Sequence, residues 1–424
     1  MPDFPAKPHQ DVERAARKLL AYCQQQDWAG HDPYDALNSG LFKALPFLDA
    51  RFPRLALTQL LKRSPIDVRG LARVPKTQNP KAMALFLRAL LQLPNSVVED
   101  DGREDLIHYM IDRLAGLRSP GSSYWAWGYS FPWQGRSILV PAHAPNLVCT
   151  TFVAGALLDA YEVGARKRTR DPQLEQQCLT MAASAAEYML NDLYWRDGAR
   201  AGFSYPMPGL RGETHNANLL AAALLCRVYE HTGEEKFLEP ALRVARQTAG
   251  KQQPDGSWFY GEHSSQRWID NFHTGYNLEA LRSIQRSLET TEFDSSVRRG
   301  FEFYRTHFFG EDGAAKYFHD RVYPLDIHCV AQSILTLLAF RDLDAGNVQL
   351  ACSVFDWAMK RMWDERGFFY YRVLRFCTIR TSYMRWSQAW MLLALSSLLR
   401  ATDSELKGPR TETRRSKTES LIHA

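Results

Sequence analysis

Two kinds of helical pattern alternate along the chain. In the first kind, seen in DVERAARKLLAYCQQQ (11–26), apolar residues recur every third or fourth position. That period predicts a helix with one buried face and one face in water. In the second kind, seen in AGALLDAY (154–161) and AAALLC (221–226), small apolar residues surround the whole helix. Such a helix is expected to be buried on every side. The alternation predicts hairpins that each contain one outer and one inner helix.

The alternation occurs six times, at a spacing of roughly 50 to 70 residues, which is typical of stacked units that cannot bury their apolar faces alone. We therefore predict an all-α (α/α)6 toroid, a closed ring of six helical hairpins forming one domain over residues 1–402. The outer helices are predicted at 11–26, 103–118, 172–193, 234–252, 295–309 and 347–362. The inner helices are predicted to begin near Asn79, Asn146, Asn216, Thr274, Asp326 and Ser387.

Two stretches depart from the repeat. Between Gln26 and Asn79 lies a long excursion, for which we expect additional short helices. From Asp403 to Ala424 the sequence DSELKGPRTETRRSKTESLIHA is polar and aperiodic. That composition is typical of a disordered tail.

Composition narrows the class of protein. The 424 residues are 45% hydrophobic and carry a formal charge of +5, a mild balance that does not indicate a nucleic-acid partner. Seven scattered cysteines without a CxxC pair favour free thiols in a reducing compartment. The N-terminal segment has no apolar signal-peptide region, and no uninterrupted apolar run reaches about 18 residues. We expect a cytoplasmic protein with no membrane span, and the oligomeric state is left open.

The turns that precede the inner helices are rich in Trp, Tyr and His. Because the inner helices are expected to start at one end of the ring, these turns predict a pocket there with stacking surfaces for a ligand. The helix N-termini would favour anionic groups in that pocket. The alternative is that the aromatic side chains fill the hole of the ring and link neighbouring turns. The candidate substrate-binding residues of this kind are Trp127, His143, Tyr205, Trp258 and Tyr260.

The segment GETHNAN (212–218) places four candidate residues at one helix start. His215 could act as a general base, with Glu213 beside it as a second catalytic candidate. Asn216 and Asn218 could neutralise a substrate carboxylate. Capping of the helix by this polar cluster is the structural alternative.

The segment IDNFHTGYN (269–277) carries a second set. Asp270, His273 and Tyr276 recur at intervals of three residues, which places them on one side of a helix start. Asp270 could orient His273 as a base, while Tyr276 could donate a proton. An N-cap with a hydrogen-bonded histidine is the alternative.

Further candidates lie in the remaining turns. Asp326 and His328 occupy the equivalent place in the fifth unit, where Asp326 could also serve as a helix cap. In the first turn, Asp32, Tyr34 and Asp35 could line the mouth of the pocket. Cationic residues accompany the same loops and would suit an acidic substrate such as a uronic-acid polymer. They are Arg69, Lys76, Arg136, Arg211, Arg267, Arg321, Arg372 and Arg385.

Two motifs resemble those of known helical toroids. QQPDGSW (252–258) resembles the Q-x-x-x-G-x-W repeat of squalene cyclases. DNFHTGYNLEAL resembles a stretch of protein prenyltransferase β subunits in which a histidine binds zinc, and His273 is the matching residue. The Asp-x-Cys pair that those transferases also need has no suitably placed counterpart, and the DxDD and CHG motifs of related cyclases are missing. We therefore expect no metal and no cofactor.

The overall layout is similar to that of toroid proteins of bacterial polysaccharide-biosynthesis clusters, and to toroid polysaccharide lyases and uronyl epimerases. That resemblance implies a carbohydrate-active enzyme acting on an acidic polysaccharide or oligosaccharide by lyase or epimerase chemistry. A glycoside hydrolase using carboxylates such as Glu213, Glu262, Asp270 and Asp326 is one alternative. A terpenoid cyclase or prenyltransferase relative and a non-catalytic glycan-binding scaffold are the others.

Overall fold

The computed structural model describes residues 6–407 except 46, 48, 136, 137 and 168–170. This part of the chain is mainly helical. Its α-helices are α1 (Ala6–Gln25), α2 (Gly40–Lys43), α3 (Arg51–Arg63), α4 (Pro80–Leu90), α5 (Asp100–Gly116), α6 (Leu147–Lys167), α7 (Pro172–Tyr188), α8 (His215–Thr232), α9 (Leu238–Ala249), α10 (Asn271–Ser287), α11 (Asp294–His307), α12 (Ile327–Ala339), α13 (Gly346–Met362) and α14 (Ala389–Lys407).

Twelve of these helices form two concentric rings. The inner helices α4, α6, α8, α10, α12 and α14 pack each against the next, and α14 packs against α4, so the inner ring is closed. Each inner helix also packs against one outer helix, in the pairs α4–α5, α6–α7, α8–α9, α10–α11, α12–α13 and α14–α1. The predicted (α/α)6 toroid is therefore confirmed. The sixth hairpin joins the first helix to the last.

Polar caps fix where four of the inner helices begin. The side chains of Asn79, Asn146, Asp270 and Asp326 each accept a hydrogen bond from a backbone N–H in the first turn of α4, α6, α10 and α12. These bonds satisfy donors that have no partner inside the helix. Helix α10 therefore begins earlier than the expected Thr274. Ser387 lies in a π-helical turn, Met384–Gln388, that leads into α14.

The inner helices are buried on nearly all sides, as their small-residue pattern predicts. Helix α6 is also long and apolar enough to pass a length-and-composition test for a membrane span, although 67% of that stretch is buried inside the ring. Such burial is typical of a core helix. Among the described residues no other helix passes this test.

Short strands, which the helical periodicity did not predict, fill the turns. A four-stranded antiparallel sheet joins the fifth and sixth turns in the order β10–β9–β6–β5. Its register pairs Asp326 with Arg372. Three separate pairs, β1–β2, β3–β4 and β7–β8, form hairpins in other turns. The strands are β1 (Trp133–Gln134), β2 (Leu139–Val140), β3 (Tyr194–Asp197), β4 (Arg200–Phe203), β5 (Lys316–Phe318), β6 (Arg321–Asp326), β7 (Trp363–Asp364), β8 (Phe368–Phe369), β9 (Arg372–Val373) and β10 (Thr378–Ile379).

The two irregular stretches are partly described. The excursion before α4 contains α2, α3 and a 3-10 turn at Asp35–Asn38, as expected for added short helices. At the other end, α14 continues to Lys407, beyond the predicted end of the helical domain. The remainder of the expected tail, 408–424, lies outside the described residues.

The Q-x-x-x-G-x-W segment connects two outer helices. Gln252 donates to the carbonyl oxygens of Gly256 and Ser296 at 2.9 Å each, and Trp258 donates to Thr248 O at 3.1 Å. Gly256 has φ of +91°, and a Cβ there would lie 2.4 Å from Arg299 O. The motif therefore joins the end of α9 to α11 and has a structural role in this chain.

We predict that Gly256→Ala lowers the free energy of unfolding by at least about 1–3 kcal/mol, because the positive φ and the close carbonyl both oppose a Cβ. Gly198→Ala is the matched control, since Gly198 also has a positive φ (+57°) but meets nothing within 4 Å. Thermal unfolding measures both variants. Equal melting temperatures for the two would contradict the close packing at Gly256.

Candidate active site

Three aromatic side chains lie across the inner ring near its N-terminal end. Phe152 of α6, Tyr276 of α10 and Trp390 of α14 have ring centroids 5.3 to 5.7 Å apart. We call these three residues the aromatic floor. Each is at most 8% exposed. His273 and His328, at the starts of α10 and α12, have rings in contact with this floor.

A histidine–tyrosine pair stands at the floor. Tyr276 Oη and His328 Nε2 are 2.7 Å apart, and both residues are buried. Burial lowers the pKa of His328 well below its ordinary value. Burial raises the pKa of Tyr276. A neutral imidazole is therefore paired with a protonated phenol, which is an arrangement that can exchange a proton.

A second histidine is oriented by a carboxylate. His273 Nδ1 lies 2.7 Å from Asp270 Oδ2, so the predicted contact between these residues is present. Trp268 donates to the same oxygen at 2.8 Å, which holds the carboxylate in place. The His273 side chain is 21% exposed, whereas that of Asp270 is 1% exposed. The free edge of the imidazole is thus available to a ligand, next to the ring of Tyr260 at 4.6 Å.

A buried ion pair joins the first and last turns of the ring. Arg385 donates to both carboxylate oxygens of Asp32, at 2.6 and 2.8 Å, and each side chain is 5% exposed. The guanidinium also lies 4.8 Å from the ring centroid of Tyr129. Arg385, a predicted substrate-binding residue, is therefore buried, and its charge is already matched by Asp32.

A second arginine–carboxylate pair joins the fifth and sixth turns. Asp326 accepts from Arg372 Nε at 2.8 Å, from Trp386 Nε1 at 2.9 Å and from the backbone N–H of His328 at 3.0 Å. Asp326 is fully buried. Its carboxylate is therefore occupied by these donors, and the structure places it behind the site as a positioning group.

Lys81 is a site residue that the sequence analysis missed. It is the second residue of α4, it is 3% exposed, and its Nζ lies 3.8 Å from the ring centroid of Phe152. The one available signal was a lysine next to the cap of an otherwise apolar inner helix. Tyr129, Phe152 and Trp390 were missed as well, since nothing local distinguishes them from core aromatics.

The His215 cluster lies apart from these pairs. His215 Nε2 is 2.8 Å from Glu262 Oε1, and Glu213 pairs with Arg200. Burial lowers the pKa of His215, while Glu262 opposes that shift. Among the described contacts, no hydrogen bond or ring contact joins His215 to His273 or Tyr276. The side-chain oxygen of Asn216 is buried and has no hydrogen-bond partner among the described residues. It is therefore the atom of this cluster that is best placed to bind a ligand.

Several predicted substrate-binding residues have other roles. Trp127 is fully buried and donates to Leu114 O at 2.7 Å, and Trp258 is likewise in the core, so neither offers a face on which a sugar could stack. Asn218 accepts from Phe203 N at 2.9 Å and anchors the β3–β4 hairpin. For Trp127, Trp258 and Asn218, these contacts support a structural role instead of the predicted substrate binding. Gln388 makes the equivalent bond to Phe369 in the sixth unit.

The other predicted residues line the turns. Tyr205 lies against Tyr260, and burial raises the pKa of Tyr205 to about 12. His143 has a positive φ of +61° and donates its backbone N–H to Tyr129 O at 2.7 Å, which places it beside the pocket wall. Arg136 lies outside the described residues.

Within the described ranges, no group of three or more His, Cys, Asp and Glu side chains could hold a metal ion. The seven cysteines are unpaired, and only Cys377 is exposed.

A cavity of about 190 Å³ lies on the inner side of the aromatic floor, within the ring. Its polar lining includes Arg88, Arg227, Glu279 and Gln332. Burial raises the pKa of Glu279 to about 7. The cavity is thus separated from His273 by the floor.

No protein-family model matches the chain, and no curated protein matches it in sequence. Solved structures match it in fold. Cellobiose 2-epimerase from Bacillus thermoamylovorans has 11% identity and a TM-score of 0.59, covering 77% of this chain and 90% of that chain. An unsaturated glucuronyl hydrolase specific for heparin has 11% identity and a TM-score of 0.60, covering 95% and 100%. A GH76 α-mannanase from Bacteroides thetaiotaomicron has 13% identity and a TM-score of 0.57, covering 78% and 89%.

These likenesses define the fold as the (α/α)6 toroid that occurs in carbohydrate enzymes. They do not show the expected resemblance to squalene cyclases, and the motif behind that expectation connects helices in this chain. At 11–13% sequence identity, these likenesses support the fold but do not identify the residues of a site.

We predict that Asp32→Asn lowers the free energy of unfolding by about 3–5 kcal/mol, because it leaves the buried guanidinium of Arg385 without a matching charge. Asp320→Asn is the control, since Asp320 and Arg321 form an exposed pair whose loss costs about 0–1 kcal/mol. Denaturant titration measures both variants. A cost for Asp32→Asn as small as that of the control would show that the ion pair does not secure ring closure.

Proposed function

We propose that the protein is a carbohydrate-active enzyme that moves a proton on a sugar carbon next to a carbonyl or carboxylate group, as an epimerase or a lyase does. The observation that carries the proposal is the pair of histidines at adjacent inner-helix starts. Asp270 orients His273, and Tyr276 is bonded to His328. This geometry supports acid–base chemistry on either side of one ligand position.

His273 is the proposed base. Its Nδ1–H donates to Asp270, so Nε2 carries the lone pair. A buried carboxylate behind the ring stabilises the imidazolium that forms when the base takes a proton. The exposed edge of His273 is the part of this dyad that a substrate can reach. His215, backed by Glu262, is the alternative base, since it too combines a histidine with a carboxylate.

The Tyr276–His328 pair is the proposed acid. When Nε2 of His328 carries the proton and donates to Tyr276 Oη, the phenol proton can pass to a carbanion, and the hydrogen bond from His328 stabilises the phenolate that remains. An epimerase requires the returning proton to arrive from the face opposite the base. The floor position of Tyr276 and the turn position of His273 favour that division of roles.

The charge of the intermediate also fits this end of the ring. The N-termini of the six inner helices bring partial positive charge to the pocket, which stabilises an enediolate or a substrate carboxylate. This supports an acidic sugar as one substrate class. Neutral aldoses remain the second class to be tested.

A glycoside hydrolase is the second candidate, supported by the similarity in fold to a glucuronyl hydrolase over most of the chain. Such enzymes use one carboxylic acid and one carboxylate. The three buried carboxylates at the pocket, Asp32, Asp270 and Asp326, already accept two or more hydrogen bonds from arginine, tryptophan, histidine or backbone donors. Their engagement favours proton transfer over hydrolysis.

We predict that the protein incorporates solvent deuterium at a carbon next to the carbonyl or carboxylate of a sugar, measured by NMR with aldoses, cellobiose and uronates in D₂O. His273→Ala and His328→Ala should each slow this exchange roughly 10²–10⁴-fold, the usual contribution of a general acid or base. His263→Ala is the control, because His263 is exposed and, among the described residues, its side chain forms hydrogen bonds only with Ser265.

Other outcomes assign other functions. A product with ultraviolet absorbance from a uronic-acid polymer would identify a lyase, whereas new reducing ends without deuterium at carbon would identify a hydrolase. Deuterium exchange that persists in His273→Ala but is lost in His215→Ala would show that the base is His215 instead of His273. No reaction on any of these sugars, with retained binding, would leave a glycan-binding protein.

A further inference from the structure

Lys81 is the only lysine that is buried among the described residues. Its Nζ is surrounded by the aromatic floor, at 3.8 Å from the ring centroid of Phe152, 5.3 Å from that of Trp390 and 5.5 Å from that of Tyr276. Lysine is seldom buried without a paired charge. Its position therefore calls for a reason beyond packing.

No carboxylate neutralises this amine. The nearby carboxylate of Asp32 is bound on both oxygens by Arg385. Within the described part of the chain, Lys81 forms no ion pair, and its side chain donates no hydrogen bond. The three N–H bonds of an ammonium group would thus face aromatic rings instead of acceptors.

The surroundings favour the neutral amine. Burial, and next the charge of Arg385, lowers the pKa of Lys81 well below its ordinary value. The start of α4 adds the positive end of a helix dipole to the same side. Attraction to the aromatic rings favours the ammonium form, but it is weaker than the combined effect of burial and like charge. A neutral, desolvated amine is a nucleophile towards carbonyl groups.

We propose that Lys81 forms an imine with the carbonyl carbon of an open-chain aldose or ketose, an inference that rests on the proposed sugar chemistry of this site. Nζ adds to the carbonyl carbon, the C=O π bond breaks, and the oxygen gains a proton as the nitrogen releases one, which gives a neutral carbinolamine. The resulting carbinolamine takes up a further proton at its hydroxyl group from the Tyr276–His328 pair and loses water. The product is an iminium ion.

Formation of an iminium ion gives the amine of Lys81 a chemical role beside His273 and His328. Its positive charge acidifies the hydrogen on the adjacent carbon, which His273 can remove to give a neutral enamine. Return of a proton to the same carbon and addition of water then release the sugar and restore the amine. No oxidant, reductant or metal is consumed in this sequence. Lys81 thereby becomes a catalytic residue.

The test is reductive trapping. The whole protein is incubated with D-mannose, D-glucose or D-glucuronate and sodium cyanoborohydride, and the mass of the protein and of its peptides is measured. We expect close to one sugar per chain, attached at Lys81. Lys81→Met and Lys81→Arg should lose that adduct, whereas Lys18→Met, which removes an exposed lysine, should keep it. Thermal unfolding of the Lys81 variants checks that they remain folded.

The outcomes separate this inference from the function it rests on. An adduct at Lys81 without deuterium exchange would uphold the imine and contradict the proton-transfer proposal. Deuterium exchange in the wild type without an adduct at Lys81, or exchange that is unchanged in Lys81→Met, would overturn the imine. Labelling spread evenly over surface lysines would overturn it too. An adduct that persists in His273→Ala would place imine formation before the proton-transfer step.

Discussion

The ion pair between Arg385 and Asp32 is the contact on which the arrangement of the site depends. The ring closes only where its first and last turns meet, and those turns are separated by almost the whole chain. A bidentate pair between two buried side chains fixes both distance and angle at that seam. The cost of removing both charges from water is offset only while the two remain together. The seam also brings the π-helical turn before α14 against the first turn, and thereby sets the position of Trp390 in the floor.

The same seam determines how charge is distributed. Arg385 and Arg372 each carry a matched carboxylate, so neither leaves a net charge at the pocket. The helix N-termini, the amine of Lys81 and the Asp270–His273 pair are the other polar groups of the site. The site therefore combines positive partial charges with neutral bases, instead of the opposed carboxylates of a hydrolytic centre. His273 and His328 also differ in their surroundings: the ring of His273 has the carboxylate of Asp270 behind it, whereas His328 is fully buried and pairs with the hydroxyl group of Tyr276.

The sequence predicted the repeated helices well, but it predicted poorly the contacts between residues that lie far apart along the chain. The ring, the outer and inner helices and the caps at Asn79 and Asp326 follow from periodicity and local chemistry, which act over a few residues. The contact of Asp270 with His273 was also predictable, because the two lie within one helical turn. The pairing of Tyr276 with His328 joins residues on different helices, and the sequence contains no local trace of it. For Trp127 and Trp258 the sequence suggested a binding role, but both side chains are buried in the core. An aromatic residue in a turn can face the core as readily as the pocket.

The aromatic floor has a consequence for the shape of any substrate. A toroid without such a floor would be a tube, open to a chain that passes from one end to the other. With Phe152, Tyr276 and Trp390 packed across the ring, the turns on one side of them are separated from the cavity on the other side. A long glycan cannot be threaded through the ring. If the substrate is a glycan, as proposed, only a chain end could reach His273 from the side of the turns, which favours action on terminal sugars over cleavage in the middle of a polymer.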